Sequence, residues 1–304
     1  MTDIKRVGFI GIGNMGAPMA ANLLKAGFDL AVFDVRTEVV DAFVAQHGGT
    51  VAASRKELGE RSDAVITMLP DDTVVRRVIL GQDAEDSVAG GLTSGTVVID
   101  MSTSDPAGTV TLGEALAARG IHCVDAPVMG GVPFARDASL DIMVGGAPAI
   151  VERCRPLFDA LGRKVFVCGP LGAGHALKAL NNYVNACTLV SLVEALTAGH
   201  KYGIPTSVMI ESMQAMCTGR NHPLDKKVIP HILTRRYGTG MALRLIAKDV
   251  GIAASVASRL GAPAPLAEKC AELWRTAGAA LGGTVDQTEI VRYWEQAADV
   301  RLDD

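Results

Sequence analysis

Several features that would mark a membrane protein or a nucleic-acid-binding protein are missing from this sequence. No stretch reaches the roughly 18 to 20 consecutive apolar residues that a membrane-spanning helix needs. The formal net charge is -4 and the basic residues form no run, so the electrostatic signature of binding to nucleic acid or to an anionic membrane is absent. We therefore expect neither a nucleic-acid partner nor a membrane partner.

The sequence also has no Cys-x-x-Cys pair, and its six cysteines are scattered, mostly in apolar stretches. This pattern argues against a zinc or other metal site and against a disulfide framework, and it predicts reduced core cysteines in a cytoplasmic protein. The first strand pattern begins at Lys5, so we expect no signal or transit peptide. The cysteines are Cys123, Cys154, Cys168, Cys187, Cys217 and Cys270.

Length and composition indicate two domains and more than one chain. A chain of 304 residues is long for one hydrophobic core and sufficient for two. Apolar residues make up 49% of the sequence, which is more than a monomer is expected to cover by itself. We expect a homo-oligomer, either a homodimer or a homotetramer.

Hydrophobic periodicity divides the chain into an α/β half and an all-α half. Short apolar strand patterns alternate with helical patterns to about residue 163, which is typical of a parallel, doubly wound sheet of the Rossmann type. After the break at Cys168-Gly169-Pro170 only helical patterns remain. We predict an NAD(P)-binding domain at 1–170 and an all-helical domain at 171–304, joined by a long interdomain helix over Gly172–Lys201.

A glycine-rich turn follows the first strand pattern and precedes a helix pattern. The turn is Gly11-Ile12-Gly13-Asn14-Met15-Gly16. Its first glycine permits the tight turn, the second lets a pyrophosphate approach the backbone, and the third lets the helix pack on the strand. Because the turn lies between a strand and a helix, it predicts a dinucleotide site rather than a structural turn alone.

The second strand pattern, Leu30 to Phe33, ends at Asp34. A carboxylate at this position accepts hydrogen bonds from the adenosine ribose hydroxyls and repels the 2′-phosphate of NADP, which favours NAD. Arg36 and Thr37 follow closely and are able to receive a phosphate, so NADP stays open as the alternative.

Three further loops follow predicted strands and are expected to line the ligand crevice at the carboxyl ends of those strands. They contain Met68-Leu69-Pro70, Ser102-Thr103 and Met129-Gly130-Gly131. Ser102 and Thr103 are also consistent with a simple helix cap, and the two glycines with a simple turn. Two free backbone N–H groups beside a nucleotide are nevertheless a suitable place to hold a carboxylate.

The helix over Gly172–Lys201 carries polar residues every three or four positions, so they form one stripe on an otherwise apolar surface. An apolar arc of this width predicts a helix that is buried among other helices. Burial near the helix start is expected to lower the pKa of Lys178 toward neutrality, with a solvated surface lysine as the alternative. The stripe contains His175, Lys178, Asn181, Asn182, Asn185, Thr188, Ser191 and Glu194.

Oxidation with a nicotinamide cofactor requires a group that moves a proton as hydride moves, and the usual candidates are missing. The cysteines of a zinc-dependent alcohol dehydrogenase are absent, and no Tyr-x-x-x-Lys pair occurs. No histidine has an obvious carboxylate partner, so we interpret all six, including His122 and His175, as structural. Lys178 is therefore the predicted proton-transfer group.

These motifs together resemble the β-hydroxyacid dehydrogenase family, which includes 3-hydroxyisobutyrate dehydrogenase, tartronate semialdehyde reductase and 6-phosphogluconate dehydrogenase. Phe9–Gly16 with Met19 and Asn22 is similar to the N-terminal signature of that family. Gly172–Asn182 is similar to its G-x-G-x-x-x-K-x-x-N-N element, and Lys248-Asp249 to its late K-D pair. The resemblance extends nearly from end to end.

The resemblance implies that Lys178 is the general acid/base, that Asn182 binds the substrate hydroxyl, and that the long helix packs in a dimer. The residues alone leave Lys248-Asp249 equally consistent with a snorkelling lysine and a surface aspartate. The predicted cofactor-binding residues are Gly11, Ile12, Gly13, Asn14, Met15, Gly16, Asp34, Arg36, Met68, Leu69, Pro70, Thr103 and Lys248. The predicted substrate-binding residues are Ser102, Thr103, Met129, Gly130, Gly131, Lys178, Asn182, Met241 and Asp249.

The chain departs from the family pattern D-A-P-V-S-G-G-x-x-G-A-x-x-G-T-L at three places. Met129 replaces the serine that touches the substrate carboxylate, Phe134 replaces a glycine, and Ala138-Ser139 replaces Gly-Thr. Met241 also stands where the family tends to carry an aromatic residue. Because methionine is flexible and apolar, these changes favour a larger or less polar substrate substituent.

The resulting hypothesis is an NAD-dependent oxidoreductase, with NADP as the alternative cofactor. It would interconvert a 3-hydroxyisobutyrate-like acid or a 3-hydroxy amino acid and the corresponding semialdehyde or keto acid. An imine reductase on the same scaffold and a non-catalytic NAD(P)-binding regulatory protein are the alternatives. Lys178 argues against the imine reductase, because such relatives tend to lack this lysine.

Overall fold

The chain divides into two compact units, Met1–Lys178 and Ala179–Asp304. A computed structural model describes residues 3–81, 86–201, 203–216, 222–259 and 265–302 of it. Cys217 and the side chains of Ser191 and Glu194 lie outside the described part. The units divide within a helix, whereas the predicted domain boundary follows residue 170.

A single mixed sheet forms the centre of the first unit, and nine strands of it lie in the described residues. They are β1 (Arg6–Ile10), β2 (Asp29–Phe33), β3 (Thr50–Val51), β4 (Ala64–Thr67), β5 (Val97–Asp100), β6 (His122–Asp125), β7 (Val128–Met129), β8 (Leu140–Gly145) and β9 (Gly162–Gly169). Their spatial order is β3-β2-β1-β4-β5-β6-β8-β7, with β9 beside β8. Strand β1 lies between β2 and β4, so the glycine turn follows the strand at which the chain direction across the sheet reverses.

Helices alternate with these strands and cover the sheet. They are α1 (Gly16–Lys25), α2 (Thr37–His47), α3 (Arg55–Glu60), α4 (Asp72–Leu80), α5 (Pro106–Ala117), α6 (Gly131–Arg136), α7 (Pro148–Arg153) and α8 (Arg155–Leu161), with a short 3-10 turn at Val88–Gly90. Successive residues of a strand pack on opposite faces of the sheet. Phe9 and Ile66 lie in one hydrophobic cluster, and Ile10 and Val65 lie in another. Burial on both faces explains why these strands are continuous apolar runs rather than alternating patterns.

The predicted parallel, doubly wound sheet is present, but it is antiparallel at one end. Strands β1 to β6 pair in parallel with one another, but β8 pairs antiparallel with both β6 and β7, and β9 is parallel to β8. Sequence periodicity reports burial and not strand direction, so it carries no signal for this reversal. The strands β3 and β7 were not predicted, because two residues are too few to show a periodic pattern.

The second unit is helical in its described residues, apart from one isolated bridge between Ala242 and Asp286. Its helices pack around a core that contains the fully buried Trp274. None of the helices in the described ranges has the length and apolar character needed to cross a bilayer. The segments are the end of α9 (Ala173–Lys201), α10 (Thr206–Met216), a π-helical segment (Leu224–Leu233), α11 (Leu243–Arg259), α12 (Pro265–Leu281), a 3-10 turn (Gln287–Glu289) and α13 (Ile290–Ala298).

Helix α9 differs from the predicted buried helix, because part of its apolar surface is exposed. His175, Lys178 and Asn182 of the polar stripe are at most 9% exposed. Three apolar side chains are instead open to solvent, with exposures of 40% for Leu177, 41% for Leu180 and 61% for Val184. The polar side chains are buried because carboxylates and a carbonyl elsewhere in the chain provide partners for them, as described below.

Candidate active site

The glycine turn between β1 and α1 has the geometry expected of a dinucleotide site. Gly11 has a φ of +97°, and an added Cβ would collide with the Met68 carbonyl oxygen. A Cβ on Gly16 would collide with the Gly11 carbonyl oxygen, so neither position accepts a side chain. At Gly13, by contrast, the nearest atom to an added Cβ is Arg36 Nη2 at 3.8 Å, which leaves room for a ligand against the backbone. These residues fit a pyrophosphate at the start of α1.

Asp34 lies at the end of β2 and is tied to this turn. Its Oδ2 accepts a hydrogen bond from Ile12 N at 2.9 Å, and its Oδ1 accepts one from Arg36 N at 3.0 Å. The Arg36 guanidinium also contacts both carboxylate oxygens, at 3.1 and 3.2 Å. Burial acts to raise the pKa of Asp34, but the hydrogen bonds from Arg36 and Ile12 outweigh it and hold the pKa below its usual value. Asp34 is therefore an ionised group at the predicted ribose position.

The loops after β4 and β5 are joined by Ser102. This side chain is 1% exposed, and its hydroxyl accepts a hydrogen bond from Leu69 N at 2.9 Å. The Ser102 backbone N–H donates to Asp100 Oδ1 at 3.0 Å, and Thr67 donates to the same oxygen at 2.9 Å. Ser102 was predicted as a substrate contact, but its buried hydroxyl is engaged within the fold, where it positions the Met68-Leu69-Pro70 loop.

The amine of Lys178 meets the loop that was predicted to hold the substrate. The residue is 9% exposed, and its Nζ donates to Val128 O at 2.8 Å and lies 2.8 Å from Met129 Sδ. The next two residues, Gly130 and Gly131, have φ values of +123° and +74°, which only glycine adopts without strain. The alternative of a solvated surface lysine is therefore wrong, because the residue is buried and its amine contacts a carbonyl and a thioether.

A second polar cluster lies in the second unit. Asn182 Nδ2 donates to Asp249 Oδ2 at 2.8 Å, and Lys248 Nζ lies 3.2 Å from Asp249 Oδ1. Asp249 is 3% exposed, so the alternative of a surface aspartate is wrong. Met241 is partly buried and packs against the helical core. Each side chain of this cluster comes from a predicted motif.

Comparisons with known proteins agree with this geometry. Residues 6–169 match the family described as the NAD binding domain of 6-phosphogluconate dehydrogenase. Residues 172–294 match the family described as the NAD-binding domain of NADP-dependent 3-hydroxyisobutyrate dehydrogenase. This chain belongs to the β-hydroxyacid dehydrogenase family. It is an NAD(P)-dependent hydroxyacid dehydrogenase, as the motifs of the glycine turn and helix α9 predicted.

Individual members of the family are similar to this dehydrogenase over nearly its full length. 2-(Hydroxymethyl)glutarate dehydrogenase of Eubacterium barkeri is 34% identical over 98% of this chain and 97% of its own. NAD-dependent L-serine dehydrogenase of Pseudomonas aeruginosa is 36% identical over 90% of this chain and 92% of its own. The structure of Mycobacterium tuberculosis 3-hydroxyisobutyrate dehydrogenase with L-serine has a TM-score of 0.84 at 29% identity, covering 96% of this chain and 99% of that one.

Asn22 of the dehydrogenase links helix α1, which follows the glycine turn, to helix α6, which begins at Gly131. The side chain is 6% exposed, and its Nδ2 donates to Ala135 O at 2.7 Å near the end of α6. Because α6 begins at Gly131, this bond anchors the segment that follows the two glycines. Ala138, beyond the end of α6, has a φ of +50°, in the left-handed region where the family pattern has glycine.

Two buried residues near Lys178 were not among the predicted site residues. Asp125 accepts hydrogen bonds from Gly172 N and His175 N, both at 2.7 Å, and so caps the start of α9. His175 was interpreted as lacking a carboxylate partner, which is wrong, because Asp100 and Asp125 lie 3.7 and 3.9 Å from its ring nitrogens. The signal that would have found Asp125 is an aspartate at a strand end together with a helix start that has no local cap.

Two cavities of the dehydrogenase differ in their relation to these residues. A cavity of about 130 Å³ lies beside Asp34 and is lined by Phe33, Thr37 and Val40 among others. A larger cavity of about 720 Å³ in the second unit, between Arg235 and Arg301, contains none of the predicted site residues.

Proposed function

We propose that this dehydrogenase interconverts a 3-hydroxy acid with a primary alcohol, HOCH2–CHR–COO⁻, and its semialdehyde, with Lys178 as the general acid/base. The observation that supports this most directly is the placement of the lysine amine. It is buried at the loop formed by Val128, Met129 and Gly130, where it contacts the first two residues. A buried amine beside two glycines is suited to proton transfer next to a carboxylate that binds at their backbone.

Oxidation of the alcohol removes a hydride from carbon and a proton from oxygen. Bound nicotinamide supplies the hydride acceptor. Lys178 takes the hydroxyl proton in this direction, with the lone pair of its neutral amine, and returns the proton during reduction. We assign Asn182 to the substrate hydroxyl oxygen, because its amide is buried and fixed by Asp249. This orientation presents the reacting oxygen to a defined partner.

The substrate carboxylate is assigned to the backbone N–H groups of Gly130 and Gly131. An added Cβ at Gly131 would meet no atom within 4 Å, so there is open space at this turn. Met129 has no hydroxyl to donate, and a missing contact of this kind costs about 1 kcal/mol, or up to about 3 if a charged partner stays buried. The carboxylate must therefore depend on the backbone more than it would in a chain with serine at this position.

The proposed substrate class is taken from three of the relatives. By their names they act on 2-(hydroxymethyl)glutarate, on L-serine and on 3-hydroxyisobutyrate. All three compounds carry a hydroxymethyl group on the carbon that bears the carboxylate, and they differ only in the substituent R. Met129 and Met241 give this chain flexible apolar side chains at its predicted substrate positions, which favours an R group larger or less polar than an amino group.

NAD is the proposed cofactor, because the ionised Asp34 favours a free ribose over a 2′-phosphate. We assign further cofactor contacts to Thr103, to the Met68-Leu69-Pro70 loop and to Lys248. Leu177, Leu180 and Val184 lie along one side of α9 and are exposed, which supports a homodimer or homotetramer with this helix in its interface. A cytoplasmic location remains part of the proposal.

Two other functions are less well supported. An imine reductase on this scaffold would not need the buried Lys178 amine or the glycine pair next to it. A non-catalytic NAD(P)-binding protein would have no reason to keep Asn182 fixed on a buried carboxylate. Both alternatives make a clear prediction, since neither would form NADH from a hydroxymethyl acid.

The test is NADH formation, followed at 340 nm, across a panel of 2-substituted 3-hydroxypropanoates with NAD and NADP side by side. Lys178→Ala should lower kcat at least about 100-fold and leave the Kd for NAD within about twofold of the wild type. Lys25→Ala, at an exposed lysine at the end of α1, is the matched control. Turnover of Lys178→Ala near the wild-type rate would exclude the lysine mechanism. If no acid in the panel gave NADH, the substrate assignment would fail.

A further inference from the structure

The start of helix α9 has no cap of its own. Leu171 and Gly172, which precede it, carry no side-chain acceptor, and the first N–H groups of a helix have no partner within it. Asp125 provides that partner from the end of β6, accepting from Gly172 N and from His175 N at 2.7 Å each. The carboxylate is fully buried, and each of its oxygens accepts one of these two bonds.

Glycines enclose this carboxylate on two sides. A Cβ on Gly145 would collide with Asp125 Oδ1, and a Cβ on Gly174 would lie 2.8 Å from Asp125 Oδ2. The backbone of β8 and the backbone of α9 therefore approach the carboxylate as closely as atoms allow. A contact packed in this way leaves the helix start little freedom to shift.

His175 makes a second attachment. The ring is fully buried, with Nε2 3.1 Å from Ser102 O and Nδ1 2.8 Å from Thr109 Oγ1. A carbonyl oxygen only accepts hydrogen bonds, so Nε2 carries a proton. The ring thus joins α9 to the loop after β5 and to helix α5.

These attachments converge on Lys178. His175 is about one helical turn before the lysine, and Asp125 is three residues before Val128, whose carbonyl accepts from the lysine amine at 2.8 Å. One carboxylate therefore fixes both the helix that carries the donor and the segment that carries the acceptor. From this we infer that Asp125 and His175 are positioning residues for Lys178. They hold its amine next to Val128 and the two glycines Gly130 and Gly131. The inference rests on the proposed role of Lys178 in proton transfer.

Two conservative variants test this role. Asp125→Asn keeps the shape but replaces one acceptor oxygen by an NH2 donor, so one of the two N–H groups at the start of α9 loses its partner. Thr109→Val keeps the shape and removes the partner of His175 Nδ1. Each should lower kcat about 10-fold or more while KM and the Kd for NAD change less than about threefold, because the lysine and not the binding surface is displaced.

Asp63→Asn is the matched control for the loss of a backbone cap. Asp63 also accepts from two backbone N–H groups, Lys5 N at 3.1 Å and Arg6 N at 2.9 Å, but it lies just before β4, at the opposite end of the strands. This variant should lose stability and keep its kcat. A kcat that fell equally in Asp63→Asn would show that any lost cap has the same effect, and it would overturn the inference.

A second measurement follows the lysine without using turnover. Trace acetylation with acetic anhydride, quantified peptide by peptide by mass spectrometry, gives the reactivity of Lys178 relative to the exposed Lys25. We expect this ratio to rise at least about threefold in Asp125→Asn and Thr109→Val and to stay constant in Asp63→Asn. If Asp125→Asn folds and its acetylation ratio is unchanged, the inference is overturned. If Asp125→Asn does not fold, an unchanged ratio in Thr109→Val overturns the inference instead. A raised ratio combined with full activity of Lys178→Ala would support the positioning role and refute the proposed catalytic one.

Discussion

The contact between Arg36 and Asp34 predicts how this dehydrogenase divides its use of NAD and NADP. Arg36 is 53% exposed, and an ion pair in such a position contributes only about 0.2 to 1 kcal/mol. Moving the guanidinium from Asp34 to a 2′-phosphate therefore costs about 1 kcal/mol at most. A hydrogen bond from the guanidinium to a charged phosphate contributes about 1.5 to 3 kcal/mol. Arg36 can thus offset part of the repulsion between Asp34 and NADP.

The substitution Arg36→Ala removes this phosphate partner and leaves the repulsion in place. The net loss is the phosphate contact of about 1.5 to 3 kcal/mol less the ion pair of about 0.2 to 1 kcal/mol, so about 0.5 to 2.8 kcal/mol, which corresponds to a decrease of about 2- to 100-fold in kcat/KM for NADP. The value for NAD should stay within about threefold of the wild type, and it should rise if anything, because the Asp34 oxygens are released for the ribose hydroxyls. The expected change is therefore in the ratio of kcat/KM for NADP to kcat/KM for NAD.

Initial rates with both cofactors at one saturating acid concentration measure this ratio. Arg61→Ala is the matched control, because Arg61 is 45% exposed and forms a comparable ion pair with Glu57 away from the glycine turn. Arg36→Lys should give an intermediate ratio, since lysine keeps the charge but not the two-point contact. If Arg36→Ala left the NADP to NAD ratio unchanged, the guanidinium would have no role in cofactor choice.

Two further predictions concern stability. Ala138→Gly relieves the left-handed φ of +50°, worth about 1 to 2 kcal/mol, against an entropic loss of about 0.5 to 1 kcal/mol, so urea unfolding should show a gain of up to about 1.5 kcal/mol; a loss of stability would mean that the turn is unstrained. Burial lowers the pKa of Lys227 from 10.5 to about 8, so between these values the unfolded chain binds more protons and stability rises with pH. Lys227→Met should abolish that rise. It should also stabilise the protein at pH 7 by up to about 3 kcal/mol, less about 1 kcal/mol for the lost hydrogen bond to Gln287. If the free energy of unfolding of the variant still rose between pH 8 and 10 as in the wild type, Lys227 would not be the group that causes the rise.

The parts of the site that depend on local order were predictable from the sequence. A strand, a glycine turn and a helix are consecutive in the chain, so Gly11 to Gly16 identify their own context. The stripe on α9 likewise places Lys178 and Asn182 by helical spacing alone. The matches over 6–169 and 172–294 confirm the family that these motifs indicated.

The parts that depend on distant segments were not predictable in this way. An aspartate at a strand end and an uncapped helix start suggest a cap, but the sequence does not show that Asp125 caps the helix that begins 47 residues later, or that His175 lies between two aspartates. The burial of Ser102 and the antiparallel pairing of β8 are likewise properties of the folded sheet. Periodicity reports which face of an element is buried and does not report what lies against that face.

The distant cap on α9 also has a consequence for the order of folding. Asp125 is 47 residues from Gly172 and 50 residues from His175, so these bonds close a long loop. Loop closure is slow compared with the growth of a helix, and a helix start without a local cap frays. The first turn of α9 should therefore become stable only after β6 has joined the sheet. The lysine proposed to carry out the chemistry would then be among the last residues of the first unit to reach its final position.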